Sequence, residues 1–394
     1  MAEKRMARSL REIANALENG VVGPSILREV NIFIKRFPMA EVLTCPPEDK
    51  LTKCPPEILE AIFQYLNTKD LKSAVLVNKK LCAVGSKPKF WSNFKVSLQS
   101  LDAGVGFLTS EREVKCLEGF GLSSLESKEL FMALSSVSTV KEVKLQGCLV
   151  DQVESGLLSM TLSNLVKVDL SNLNLGEQQV SSLFSLMASG CKIASLNMEE
   201  VDLSSVSPQL LSCTSKLREV NFSSTLMTDK QMGVLCNAIL EEKDFKFTSF
   251  EITGVNLENA PVAALVKVAK KVSRIGLGNT FITPVQASAI ITAFNGNPAL
   301  REVDLSDLPL SGIEPRFFAE VLSRTKRLNL ANTGLNIHQV SELLKVTSEE
   351  GSLEELDLSG NQLGMINPEL LATAMNRIRS VTLLDSGITM HQVD

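Results

Sequence analysis

From about residue 110 onward one apolar pattern recurs: an apolar residue, two variable ones, then apolar, any residue, apolar. The clear copies read VKEVKL (140–145), LVKVDL (165–170), KIASLNM (192–198), KLREVNF (216–222), FTSFEI (247–252), VSRIGL (272–277), LREVDL (300–305), TKRLNL (325–330), LEELDL (353–358) and IRSVTL (378–383). A degraded copy, EREVKC (111–116), precedes them and makes eleven. Their final apolar positions fall 29, 25, 28, 24, 30, 25, 28, 25, 28 and 25 residues apart, and two-repeat periods stay within 52–55. Self-similarity of this kind restricts the fold to a solenoid, in which each unit buries its apolar face against its neighbours.

The apolar-x-apolar core of each copy predicts a short strand whose alternate side chains point inward. VSSLFSLMA (180–188), MGVLCNAIL (232–240), ASAIITAF (287–294) and VSELLKV (340–346) have helical apolar spacing and fall in the long steps. The pattern and its length range resemble the leucine-rich repeat family. The alternation of long and short units is similar to a ribonuclease-inhibitor-type horseshoe. That resemblance implies an α/β solenoid with a parallel concave sheet and convex helices. In the family, Asn usually follows the strand and forms a buried ladder. Here that position holds Leu173, Val201, Thr225, Val255, Thr280, Leu308, Thr333, Asn361 and Ser386, so an interrupted ladder and less regular convex packing are expected.

Residues 51–98 differ in character. They carry eight lysines against three acidic groups, whereas residues 101–394 are strongly acidic overall, which supports a boundary near residue 100. Pro55-Pro56 suits a first helical turn, and Ile58, Leu59, Ile62, Phe63 and Leu66 form one apolar stripe. Asn67–Asp70 interrupts that helix, Leu71, Val75, Leu81 and Val84 continue a second pattern, and Trp91 ends the unit. PPEILEAIFQYL…DL…VNKK followed by Trp91 resembles the F-box, with Cys54 and Leu81 where the family usually has Leu and a bulky aromatic.

The F-box resemblance implies a small all-α domain that binds a Skp-type adaptor, and through it a cullin–RING ubiquitin ligase. Carried over position by position, it implies adaptor contacts from Pro55, Ile58, Leu59, Ile62, Phe63, Leu66, Leu71, Val77, Lys79 and Trp91. The expected organisation is an N-terminal helical segment and linker (1–50), an F-box domain (51–98) and a solenoid of about eleven repeats (99–394). The last repeat is expected to be cut short, because Gly387–Asp394 matches Gly334–Ser341, which opens a helix.

Little else in the chain points to chemistry. His338 and His391 are the sole histidines and share one repeat position, and the eight cysteines form no C-x-x-C pair. No catalytic, cofactor or metal site is expected, and the chain is read as a non-catalytic receptor in the cytoplasm or nucleus. The net charge of −5 weighs against nucleic acid, and no apolar run is long enough to cross a membrane. A partner would meet the strand residues that flank the inward pair. The candidates there are Asp169, Glu199, Glu219, Glu251, Arg274, Glu302, Asp304, Arg327, Glu355 and Asp357. Acids outnumber bases in these columns, which favours a protein substrate with a basic surface. The alternative expectation is a leucine-rich-repeat scaffold or inhibitor with no ligase link.

Overall fold

The computed structural model describes residues 56–64, 66, 71, 74–75, 79–87, 90, 95–98, 114–244, 246–322, 324–350 and 352–388. The chain divides into two compact units, Met1–Phe120 with Glu129–Val143, and Gly121–Lys128 with Lys144–Asp394.

In the first unit, helices α1 (Pro56–Phe63) and α2 (Lys79–Gly85) enclose a small apolar core. Leu59, Phe63, Leu66, Leu71, Ala74, Val75, Leu81, Val84 and Phe90 form that core, with Ile62 packed partly buried against it. The Phe63 and Phe90 rings meet edge to face at 5.9 Å. Gly85 closes the core: a Cβ there would run into the Phe63 ring and Val75. In the same unit, strand β1 (Lys95–Leu98) runs parallel to β2 (Cys116–Phe120), with Val96 opposite Leu117 and Leu98 opposite Gly119. The strand Lys95–Leu98 thus lies inside the segment 51–98.

The degraded first copy is displaced from the position its sequence suggests. Lys141 N donates to Lys115 O, as Ala194 N does to Val166 O two repeats further on. Leu117 and Gly119 therefore occupy the two inward strand positions, and Cys116 does not. A buried glycine stands where the pattern demands a side chain, so a search for apolar residues locks onto EREVKC instead.

Strand β3 (Glu142–Gln146) is followed in the second unit by β4 (Lys167–Asp169), β5 (Ser195–Asn197), β6 (Glu219–Asn221), β7 (Ser249–Glu251), β8 (Arg274–Gly276), β9 (Glu302–Asp304), β10 (Arg327–Asn329), β11 (Glu355–Asp357) and β12 (Ser380–Thr382). From β4 to β12 each strand pairs in parallel with the next, in matched register. The middle residues Val168, Leu196, Val220, Phe250, Ile275, Val303, Leu328 and Leu356 are all buried. Each contributes about 1.5–3 kcal/mol by leaving water.

Helices return the chain between strands, and their lengths alternate as the spacing predicts. Glu177–Ser189, Asp229–Glu241, Pro284–Asn295 and Ile337–Glu350 have 13, 13, 12 and 14 residues. Between them stand Ser155–Leu162, Pro208–Leu211, Val262–Ala269 and Pro315–Leu322, with 8, 4, 8 and 8. The fold is an α/β leucine-rich-repeat solenoid.

The asparagine ladder is interrupted, as expected, and a different polar ladder joins the repeats. Gln179, Gln231, Gln286 and Gln339 are buried at the third position of the four long helices. Each Oε1 accepts the backbone N–H of its own helix cap, at Gly176, Thr228, Thr283 and Asn336. Each Nε2 reaches back one repeat: to Val150 and Val153, Leu203 and Val206, Leu257 and Ala260, and Leu310 and Ile313 carbonyls, at 2.6–3.0 Å. The Thr225, Thr280 and Ser386 hydroxyls close their own repeats on the Phe222, Leu277 and Leu383 carbonyls, and the Thr333 hydroxyl, set on the Leu330 carbonyl, also reaches Asn361 Oδ1 of the next repeat at 3.2 Å. Asn361 is the one family-type rung, donating to Leu330 O at 2.8 Å.

Candidate functional site

Strand alternation puts the first and third residues of each strand on the outer face of the sheet. Register aligns them into two columns. The first reads Lys167, Ser195, Glu219, Ser249, Arg274, Glu302, Arg327, Glu355, Ser380. The third reads Asp169, Asn197, Asn221, Glu251, Gly276, Asp304, Asn329, Asp357, Thr382.

Seven of the ten sequence candidates, Glu251, Arg274, Glu302, Asp304, Arg327, Glu355 and Asp357, come together around one depression of about 340 Å³. Asp169 and Glu219 lie on β4 and β6, away from it. Glu199 is two residues beyond the end of β5, where it accepts Asn221 Nδ2 at 3.1 Å.

From Glu251 to Glu355 the sheet face carries an alternating ion-pair chain. Arg274 Nε faces Glu251 and stands 3.5 Å from Glu302. Arg327 reaches Glu302 at 3.5 Å and Glu355 at 3.3 Å. Lys167 pairs with Glu219 at 3.2 Å across the intervening β5. Burial alone would raise the Glu219 carboxyl, but hydrogen bonds from Ser195 and Lys167 and the charges of Lys167 and Arg274 hold it below its ordinary value. Glu251 goes the other way. Burial pushes its carboxyl up, Arg274 pulls it down, and Asp304 and Glu302 push it up further. Its side chain leans over Gly276, where any Cβ would collide with it.

The third column has a structural duty as well. Asp169, Asn197, Asn221, Asp304, Asn329 and Asp357 each accept, through Oδ1, the N–H two residues on, at 2.9–3.1 Å. The next residue takes a left-handed conformation in every one of these repeats: Asn172, Glu200, Ser224, Asp307, Asn332 and Gly360, with φ between 55 and 67°. Most are Asn, Asp or Gly, the types that tolerate that region. This turn was missed in the sequence, although the recurring Asx–apolar–x–Asn/Gly/Asp spelling carries it.

In the first unit the adaptor candidates fall into three groups. Leu59, Phe63, Leu66 and Leu71 belong to the internal core. Ile62 is partly exposed and Lys79 exposed, beside exposed Pro56, Glu57 and Gln64. Pro55, Val77 and Trp91, and the Ile58 side chain, lie outside the described residues.

Among the described residues, no group of three His, Cys, Asp or Glu is placed to hold a metal ion, and no helix is long and apolar enough to cross a membrane. Burial pushes the Cys213 thiol up to about 12 and the Cys236 thiol up to about 11, so neither offers a thiolate at neutral pH.

Comparison with known proteins agrees with this architecture. Residues 53–97 match the F-box-like family and residues 352–374 match the Leucine Rich Repeat family. The chain is 24% identical over 220 residues to a ribonuclease inhibitor of Sus scrofa, covering 52% of this chain and 42% of that protein. It is 22% identical over 294 residues to a ribonuclease inhibitor of Mus musculus, covering 72% and 54%. The chain thus spans about half the length of the curated relatives it matches. An internalin from Listeria monocytogenes superposes over 83% of this chain and 93% of its own, at 15% identity and a TM-score of 0.45.

The chain thus joins an F-box-like segment to a leucine-rich-repeat solenoid in one sequence.

Proposed function

We propose that this chain is the substrate-recognition subunit of a Skp–cullin–F-box ubiquitin ligase. The observation that carries the reading is an F-box-like segment at 53–97 joined in one chain to a repeat solenoid with a charge-patterned sheet face. The F-box-like helices hold a Skp-type adaptor, and the outer face of the sheet holds a protein substrate. Such a receptor works by proximity: it raises the local concentration of a substrate lysine near the charged conjugating enzyme and performs no bond chemistry itself. The second reading, a scaffold or inhibitor, draws on the likeness to ribonuclease inhibitors and needs only the solenoid.

Co-purification with a Skp-type adaptor separates the two. Leu59 and Phe63 are core residues, so charging them would unfold the unit and report nothing about contact. The informative variant is Ile62→Ser/Lys79→Glu, which alters the outer surface of the same helices. A stoichiometric complex with the wild-type chain, lost in the variant while its circular dichroism and melting are retained, supports the receptor reading. A folded wild-type chain that never binds adaptor refutes it.

A further inference from the structure

The sheet face carries charges that its own ion pairs do not use. Arg274 is shared between Glu302 of the first column and Glu251 of the third, and Arg327 between Glu302 and Glu355. Among the described residues, Asp304 and Asp357 of the third column make no ion pair. Each has only Oδ1 engaged, Asp304 by the Ser306 N–H and hydroxyl, and Asp357 by the Ser359 N–H. Between them, on β10, stands the uncharged Asn329.

Both carboxylates line the depression of about 340 Å³, whose wall also holds Glu251, Glu302 and Glu355 against Arg274 and Arg327, five acids to two bases.

Their separation selects the shape of a ligand. Asp304 and Asp357 occupy β9 and β11, two strands apart. At about 4.7–4.9 Å per strand that is about 9.4–9.8 Å. A polyproline II segment repeats its side-chain direction every third residue, after about 9.3 Å. An extended β segment repeats after about 6.6 Å. A helix presents one face after about 4.5, 6 or 10.5 Å, at three, four or seven residues. The extended three-residue repeat fits best.

We propose that this depression docks a basic, polyproline II-like segment of the partner protein, with Lys or Arg at positions i and i+3 seated on Asp304 and Asp357. The inference rests on the receptor reading only for the partner's fate; the docking itself does not depend on it.

The test uses the full chain and two peptides bearing a neutral fluorophore: Pro-Arg-Pro-Pro-Arg-Pro, and its isomer Pro-Pro-Arg-Arg-Pro-Pro. Fluorescence anisotropy at low salt should show the spaced peptide binding about five- to tenfold tighter than the isomer, the range two exposed ion pairs can supply. Asp304→Asn/Asp357→Asn should bring it down to the isomer's level, and Asp202→Asn/Asp229→Asn, on acids off this face, should not. Equal binding of both peptides, or unchanged binding to the Asp304/Asp357 variant, overturns the proposal. Adaptor co-purification of the same variants is the independent arm. Selective peptide binding without adaptor binding would sink the ligase reading and leave the docking site, and the converse would do the reverse.

Discussion

Gln286→Ala tests whether the glutamine ladder holds the solenoid together. The side chain is 3% exposed. Its Nε2 serves the Leu257 and Ala260 carbonyls at 3.0 Å each, and its Oε1 takes the Thr283 N–H at 2.7 Å. Truncation leaves the Ala260 carbonyl and the Thr283 N–H without a partner, while the Leu257 carbonyl keeps the Ala260 N–H. At about 1–3 kcal/mol for each of these two unsatisfied groups, the expected loss is about 2–6 kcal/mol, toward the lower end if water enters the gap. Nearest-neighbour coupling confines the damage to one interface, so the loss should also reduce cooperativity. Urea unfolding followed by circular dichroism is the assay, with a lower midpoint and a shallower slope expected. Gln362→Ala, at an exposed position, should stay within about 0.5 kcal/mol of wild type. Gln286→Glu sharpens the test. An ionised carboxylate still accepts from Thr283 but repels both carbonyls, so the variant should be poor at pH 7 and should recover on acidification, when one O–H can donate. A Gln286→Ala chain as stable as the Gln362→Ala control would refute the ladder as an inter-repeat tie.

Two further outcomes follow from the sheet and its turns. Glu251 has its folded pKa raised, so its favourable contribution is complete below the ordinary carboxylate range near about 4.3 and is lost as pH rises through the folded value. Glu251→Gln, which cannot ionise, should therefore raise the melting temperature at pH 7 and lose that advantage in acid; a lower melting temperature at pH 7 would contradict the burial argument. Gly360 has φ +67° and faces Asn332, so Gly360→Ala should cost about 1–3 kcal/mol in urea unfolding, whereas Asn172→Gly at the equivalent turn should be nearly neutral.

The sequence announced the second unit well because its signal is redundant. Ten copies fix one register, and the middle strand residues, the alternation of helix length and seven charged face residues all follow from it. What escaped was whatever the apolar pattern does not weigh. Gly119 holds an inward position without a side chain, so the first repeat was read three residues early. Glu199 was placed in a strand column because acidic residues flank the turn as well as the strand. The buried glutamines look like ordinary polar residues one at a time. Their signal is positional: 179, 231, 286 and 339 repeat with the same two-unit period, and Gln392, outside the described residues, continues it. In the F-box-like segment the apolar stripe located the helices but did not sort its members. Leu59 and Phe63 serve the core, while Ile62 on the same helix is left partly outside, and only packing distinguishes them.

The two faces of the repeat sheet divide the work along one shared period. The long-helix repeats begin on β4, β6, β8 and β10, and they carry both the buried glutamines behind the sheet and Lys167, Arg274 and Arg327 in its first column. The short-helix repeats on β9 and β11 supply Glu302 and Glu355 in that column and Asp304 and Asp357 in the third. The arginines are 56% exposed and the partner glutamates 33% and 45%, so each pair contributes about 0–1 kcal/mol at most. One buried glutamine rung outweighs the whole exposed stripe. Stability therefore gives no reason for the charges to keep so strict an order across four strands. A surface that orders its charges beyond what folding requires, and leaves Asp304 and Asp357 unpaired at a fixed spacing, is what the proposed docking of a basic partner requires.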